Sequence, residues 1–404
     1  MNTSWTVANT QFELHRYPPN QHDKSLQAWD SSDDLVVQHV LDTYQHTLPL
    51  PDILVYDDLF GAISLGLNNF PLGCVVDSYV SKMAIEYNHE HNSKVSPTVH
   101  NSLEKPSAAS IIVIKLTKNL AYLEHQLQAI NQYQENCDII ATGKTTLVTT
   151  SVMKLFERYF DDVSSSLAKK KSRLIFAKKQ HKKLVDDANL LKPKFEAKWP
   201  EQNLVLRSHA NVFSKDQIDI GGRFLADHLP LLTKLDNNFT VIDLGCGNGL
   251  LGLCYLQQNK ERIKELITDE ASPQNLDFKM IFADESHMAI NSVQQNVEIN
   301  ANELINVCTF SQDDCLSQQP DNSADLILCN PPFHQQNTIT THITEQMIKQ
   351  SAMVLKSNGV ILLVANKHLA YQKMLKDTFG GFTVLSSNSK FVIYMCQHKN
   401  VNKG

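Results

Sequence analysis

Nowhere in the 404 residues do 18 uncharged apolar residues follow one another, which excludes an ordinary membrane-spanning helix. The opening stretch "MNTSWTVANTQFELHRYPP" has no basic segment followed by an apolar run, so the expectation is a cytoplasmic protein without a membrane partner. Cys-x-x-Cys pairs are missing too. The eight cysteines, at 74, 137, 246, 254, 308, 315, 329 and 396, are scattered, several of them inside strand-like runs. That distribution suits reduced, buried thiols rather than disulfides or zinc, and no metal is expected. Positive charge is not in excess either: 37 Lys and Arg stand against 43 Asp and Glu, for a net charge of −6. A uniformly basic nucleic-acid binder is excluded, and any contact with a polyanion has to come from a local patch.

The chain is 42% hydrophobic, enough for two ordinary domains with cores of their own. One basic patch stands out, "AKKKSRLIFAKKQHKK" from Ala168 to Lys183, which contains Lys169, Lys170, Lys171, Lys178 and Lys179. It precedes the polar, Pro-containing "LKPKFEAKWPEQN", which resembles a linker and divides the chain near residue 190. The domains predicted are 1–190 and 200–404. Two readings of the lysines stand side by side: the solvated edge of a terminal hairpin, or an RNA-binding patch.

After the linker the pattern alternates: "FTVIDLG", "FKMIFAD", "INVCTFS", "ADLILCN" and "GVILLVAN" are strand-like, and "GLLGLCYLQQN", "SHMAINSVQQNVEIN" and "TEQMIKQSAMVL" are helical. Such alternation predicts an α/β, Rossmann-like domain, a parallel sheet with helices on both faces. "GFTVLSSNSKFVIYMC" predicts an antiparallel hairpin at one sheet edge. Ligands of these sheets bind at the carboxyl ends of the strands.

Four signals fall at those ends. "VIDLGCGNGLLG" places Asp243, Gly245, Gly247 and Gly249 in a D-x-G-x-G-x-G loop, where glycine permits positive φ and close backbone approach. Alone, this loop is compatible with a dinucleotide site or a tight turn. The next strand-end acids, Asp284 and Glu285, come later than a dinucleotide fingerprint requires, with a polar insertion from Thr268 to Phe278 between. A carboxylate there can accept from both hydroxyls of a ribose, although Asp284 is also placed to cap a helix. Asp313 or Asp314, in "SQDDCL", can accept from an adenine amino group. The fourth signal is "CNPPF". Pro331 and Pro332 carry no amide hydrogen and end the strand, leaving the Asn330 side-chain oxygen and the Pro331 carbonyl to accept from one external NH₂ while Phe333 stacks on a planar ring. Two acceptors on an aromatic amine favour a pyramidal nitrogen with its lone pair free to attack.

D-x-G-x-G-x-G, the second-strand acid and N-P-P-F, in this order, resemble the class I S-adenosylmethionine-dependent amino-group methyltransferases. The extended "NPPFHQQ", with "VFSKDQIDIGGRFLADHL" and "VANKHLAYQKML", is similar to the guanine-N2 methyltransferases of bacterial ribosomal RNA, in particular the 23S rRNA family, to which a 16S rRNA family is paralogous. The resemblance implies two tandem class I methyltransferase domains, the first degenerate. It implies S-adenosyl-L-methionine held by Asp243, Gly245, Gly247, Gly249, Asp284, Asp314 and Asn330, with catalysis by Asn330, Pro331, Pro332 and Phe333. It also implies a 23S rRNA partner, protein-free or partly assembled, met by a monomer.

The duplication shows internally. "DILVYDDLFGAISLGL" parallels the glycine-loop segment with only Gly61 kept, "CVVDSYVSKMAIEYN" parallels "IFADESHMAINSVQQN", and "KLTK" stands where N-P-P-F is expected. The first domain is therefore assigned RNA binding or positioning. His334 invites a role as base, but direct methyl transfer requires none. Other classes compatible with the residues are a 16S rRNA enzyme, a protein glutamine N5 methyltransferase, whose amide presents a similar NH₂, and an RNA-binding pseudoenzyme.

Overall fold

The structure is a computed structural model and describes residues 2–19, 27–180, 190–232, 238–268, 277–332, 338–369 and 371–397. Two compact units divide the chain, Met1–Lys192 and Pro193–Gly404.

Unit 2 begins with a hairpin of β10 (Phe195–Trp199) and β11 (Leu204–Ser208), so much of the stretch resembling a linker is strand. Its sheet holds β12 (Phe239–Leu244), β13 (Phe278–Asp284), β14 (Cys308–Gln312), β15 (Ala324–Cys329), β16 (Leu355–Asn366), β17 (Thr383–Ser387) and β18 (Phe391–Gln397). The order is β14-β13-β12-β15-β16-β18-β17. The first five strands in that order run parallel, while β18 is antiparallel to β16 and β17. The expected third strand is shorter than "INVCTFS" suggests, because residues Asn302–Val307 form a 3₁₀ turn before it.

Alternation along the central strands divides the core into two layers, as a pleat requires. Val241, Phe282 and Leu328 join one layer with Leu225, Leu253 and Val293 from helices α6 (Ile220–Ala226), α7 (Leu250–Gln258) and α9 (His287–Asn300). Ile242, Ala283 and Ile327 join the other with Ile348 and Leu375 from α10 (Thr338–Val354) and α11 (Tyr371–Phe379). Helix α8 (Lys260–Thr268) lies on the α7 to β13 connection. The long gap between the first two strand ends is therefore partly helical, and residues 269–276 of the expected insertion lie outside the described residues.

Unit 1 repeats this plan. A hairpin of β1 (Ser4–Val7) and β2 (Thr10–Glu13) precedes a sheet of β3 (Ile53–Tyr56), β4 (Leu72–Val76), β5 (Thr98–Asn101), β6 (Ile111–Lys115), β7 (Cys137–Lys144), β8 (Asp161–Ser165) and β9 (Ser172–Lys179). The order is β5-β4-β3-β6-β7-β9-β8, position for position that of unit 2. Helices α1 (Ser31–Tyr44), α2 (Ala62–Gly66) and α3 (Tyr79–His91) pack on one face, and α4 (Leu120–Tyr133) and α5 (Thr150–Tyr159) on the other. All eight cysteines are free and six are buried. Among the described residues, no helix is long and apolar enough to cross a membrane.

Both units fasten their leading hairpin in the same way. Asn92 and Asn88, one turn apart on or just after α3, exchange paired amide hydrogen bonds of 2.7 to 2.9 Å with the backbones of Glu13 and His15. Asn300 and Asn296 on α9 do so with Val205 and Arg207. The upstream asparagine of each pair reaches one step further, to the carbonyl of Phe60 or Asn248, at 2.9 Å in both units. A carboxamide carries the donor and acceptor of a peptide unit, so each side chain continues the strand's ladder onto a helix.

Helix α7 sits close to the sheet because Gly252 carries no side chain. A Cβ there would lie 2.5 Å from Met280 Cε and closer still to Phe282 Cε1. Gly252→Ala should lower the unfolding free energy by about 1–3 kcal/mol in urea denaturation; unchanged stability would mean that α7 has room to move.

Candidate active site

The parallel register brings the strand ends together. Leu244 pairs with both Ala283 and Cys329, and Asp284 pairs with Gln312, so the loops after β12, β13, β14 and β15 leave one edge of the sheet. After β12 the chain turns through Gly245, Gly247 and Gly249 at φ of +69°, +54° and +85°. At Gly249 a Cβ would strike the Val293 side chain, whereas at Gly247 it would meet no atom within 4 Å. Gly247 thus exposes bare backbone to open space, which suits a ligand lying against the loop.

Asp243 faces away from that space. It is 1% exposed, and its Oδ2 accepts from the Gly252 amide in α7 at 2.8 Å. Burial pushes its carboxyl up to about 8, the Gly252 bond opposes the shift, and the Asp284 charge adds to it. Asp243 is thus placed to brace the loop from behind.

Asp284 is half-buried at the end of β13. Its Oδ2 accepts from the Gly247 amide at 2.9 Å and its Oδ1 from the Ser286 amide at 2.9 Å. It does not cap α9: that cap is Ser286, whose hydroxyl accepts from Ala289. The two acids after β14 separate clearly. Asp313 is fully buried, and its oxygens accept from the Ser317 hydroxyl and the Gln318 amide, so it holds its own turn. Asp314 is 6% exposed, and burial raises its carboxyl above the ordinary range.

Asn330 follows β15 directly. Its amide nitrogen donates to Asp219 Oδ2 at 3.0 Å, and the same oxygen accepts from the Gly222 amide at 2.6 Å, capping α6. Asn330 Oδ1 is buried and has no hydrogen-bond partner among the described residues. An orphaned buried acceptor costs about 1–3 kcal/mol, a cost removed when a donor arrives. Asp219 is the residue that motif reading missed; its signal was the Asp-x-x-Gly of a helix cap within "QIDIGG". Pro331 is buried and Pro332 half-buried. Phe333 and His334 lie outside the described residues.

Comparison with known proteins agrees with this geometry. Residues 2–181 match a family model described as the RLMG N-terminal domain, and residues 203–395 match one described as the methyltransferase small domain. A protein of Pseudoalteromonas translucida named ribosomal RNA large subunit methyltransferase G is 36% identical over 95% of this chain and 94% of its own length. Its namesake in Klebsiella pneumoniae is 36% identical over 95% of each chain. The chain belongs to the ribosomal RNA large subunit methyltransferase G family. A 16S rRNA N2 methyltransferase from T. thermophilus, solved with AdoMet and guanosine, superimposes with a TM-score of 0.71 over 98% of each chain at 16% identity, so the two-domain class I methyltransferase fold is common to both.

In this member of the family, unit 1 has filled in each corresponding position. Asp57, at φ +60°, and Leu59 stand where unit 2 has Gly245 and Gly247, and only the helix-opening Gly61, at φ +79°, is kept. Val55 replaces Asp243, and the cap moves to Asp58, which accepts from the Ser64 amide at 2.7 Å. Val76 ends β4 where Asp284 ends β13. Lys115 stands at the Asn330 position, and its ammonium is 3.1 Å from Asp30 and 2.5 Å from Asp33. Asp30 caps α1 as Asp219 caps α6. The buried acceptor that has no partner among the described residues of unit 2 is replaced by a closed ion pair in unit 1.

The lysine patch divides. Lys169, Lys170 and Lys171 are exposed; Lys170 and Lys171 form a two-residue hairpin turn closed by the paired Lys169 and Ser172 backbones at 2.9 Å. Lys170 and Lys171 both have positive φ there, as the tight hairpin twist demands. Strand β9 is not the sheet edge, because β8 lies outside it. Lys178 is exposed, but Lys179 is only 3% exposed: neighbours on a strand point to opposite faces. Lys179 therefore leaves the set of lysines able to meet RNA.

The Asp243 carboxyl generates a pH test. Its folded value of about 8 stands above the ordinary 3.8, so the stability it permits is complete at low pH and is lost as pH rises through 8. Asp243→Asn can still accept from Gly252 but cannot ionise. Its unfolding free energy relative to the wild type should rise between about pH 5 and pH 8.5 in denaturant titrations; a difference independent of pH would show that Asp243 titrates normally.

Proposed function

We propose that this chain transfers a methyl group from S-adenosylmethionine to the exocyclic N2 amine of a guanine in large-subunit 23S rRNA, with the chemistry in unit 2. The observation that carries this reading is the orphaned Asn330 Oδ1, a buried acceptor whose own amide nitrogen is already committed to Asp219. An NH₂ group supplies the missing hydrogen, and the two prolines that close β15 bring no amide hydrogen of their own to compete for it. The family names and the likeness to the T. thermophilus enzyme support guanine in ribosomal RNA over a protein amide.

Bound S-adenosylmethionine supplies an electrophilic methyl group on a positive sulfur. The Gly245 to Gly249 backbone would give it room, Asp284 would accept from the ribose hydroxyls and Asp314 from the adenine amine, and Asp243 braces the loop from behind. Asn330 Oδ1 and the Pro331 carbonyl would hold the guanine amine for attack on that methyl group, and Phe333, which lies outside the described residues, is the residue expected to stack on the base. Positioning of this kind is worth about 7–11 kcal/mol in model reactions, so no strong base is required and the proton leaves to solvent after transfer.

Unit 1, whose cofactor and amine positions are filled, binds or positions RNA, with Lys169, Lys170, Lys171 and Lys178 toward phosphates. The protein acts in the cytoplasm as a monomer on rRNA that is protein-free or partly assembled.

Two variants separate clamp from cofactor site. Asn330→Ala should reduce single-turnover methylation while leaving cofactor affinity nearly intact. Asp284→Ala should weaken cofactor binding by about 1.5–3 kcal/mol and affect turnover less at saturating cofactor. Wild-type methylation by Asn330→Ala would reduce the N-P-P element to a turn.

Replacing Lys169, Lys170 and Lys171 by Gln should weaken RNA binding and flatten its salt dependence by about 0.7 for each phosphate no longer neutralised. An unchanged slope would make these lysines solvated surface.

A further inference from the structure

The leading hairpin of unit 1 carries a cluster that methyl transfer does not use. Glu13 ends β2, His15 follows two residues later on the same face of the extended chain, and His91 ends α3. His15 Nε2 lies 3.2 Å from Glu13 Oε1, and His91 Nε2 lies 3.2 Å from Glu13 Oε2. All three donor atoms lie within 4.8 Å of one another. Around a tetrahedral zinc ion with bonds of about 2.1 Å, neighbouring ligand atoms are about 3.4 Å apart, so each imidazole already sits at about ligand-to-ligand distance from one oxygen of the Glu13 carboxylate, and a small rotation of that carboxylate brings a single oxygen between them.

We propose that Glu13, His15 and His91 form a binding site for a divalent first-row transition metal of the zinc class, tying the hairpin to α3 in a unit that performs no chemistry. Two imidazoles and one carboxylate suit zinc, nickel or copper better than magnesium or calcium, which favour all-oxygen sites. The frame is rigid: the paired bonds of Asn88 and Asn92 fix the His15 and Glu13 backbones to α3. Tyr87 also stacks on the His91 ring at 5.6 Å and meets the His15 ring edge-on at 5.8 Å, which restrains both imidazoles. The cluster is no requirement of the fold. Unit 2 fastens the same hairpin with the same two asparagines, and there Val205, Arg207 and Ile299 occupy the three positions, none of which ligates zinc readily. Solvent completes the coordination, since Glu13 and His91 are partly exposed.

The test uses untagged full-length protein stripped with chelator, because 16 histidines offer competing weak sites. Zn²⁺ alone is titrated by calorimetry, and Co²⁺ alone is followed by visible absorption. The expected result is one equivalent bound, a rise in the melting temperature of unit 1, and affinity lowered about tenfold or more in His91→Ala. His91 is 38% exposed, so this variant should fold, and its thermal unfolding should not shift on addition of Zn²⁺. Glu13→Gln, which keeps the side chain's size and an acceptor, gives a second variant should His91→Ala fold poorly, and it should weaken binding as well. Absence of stoichiometric binding, or binding unchanged in the properly folded variants, would overturn the proposal and leave a hydrogen-bonded His-Glu-His cluster.

Discussion

A carboxamide offers a donor and an acceptor, and a site that must grip an amine needs the acceptor alone. The bond from Asn330 Nδ2 to Asp219 Oδ2 makes that choice. By occupying the nitrogen, it fixes the orientation of the side chain and leaves Oδ1 without a partner among the described residues. Asp219 can do this only because it caps α6, where the Gly222 amide holds the same carboxylate oxygen. Gly222 in turn has no side chain because Leu250, at the start of α7, packs where its Cβ would be. The candidate site therefore rests on a short series of touching groups running from the glycine-loop helix to the proposed amine clamp.

The two units show what that series is worth by showing its replacement. Strand order, the glycine that opens the first crossover helix and the asparagine ladders are common to both. What differs lies at the carboxyl edge of the sheet, where Lys115 with Asp30 and Asp33 takes the place of Asn330 with Asp219. A buried ion pair satisfies itself, and removing one partner would strand a charge. Such a site has no incentive to accept a ligand. The fold persists because its core needs only apolar alternation and paired backbone, both of which survive the loss of glycines and prolines at the edge.

Much of this was legible in the residues. Strand and helix alternation, the glycine loop, the acids after β13 and β14 and the prolines after β15 are local patterns, each set by neighbours within a few positions. Their meeting at one edge follows from the parallel arrangement that the alternation implies. Even the duplication is visible, and more fully than the glycine loops suggest: "NHEHN" at 88–92 and "NVEIN" at 296–300 repeat the spacing of the two ladder asparagines.

The remainder depends on residues distant in sequence. Ser286 rather than Asp284 caps α9 because Asp284 is drawn to the Gly247 amide across the loop. Lys178 and Lys179 point to opposite faces of β9, and only the packed fold decides which of the two faces is covered, leaving Lys178 exposed and Lys179 buried. Asp219 orients Asn330, and Glu13 and His15 meet His91, only once α6 and α3 have docked. Sequence by itself determined which elements form and which chemical groups stand at their ends, since these are matters of periodicity and of backbone chemistry at Gly, Pro and Asn. Tertiary structure alone decided which oxygen, nitrogen or ammonium is left without a partner, because that depends on which distant group reaches it first.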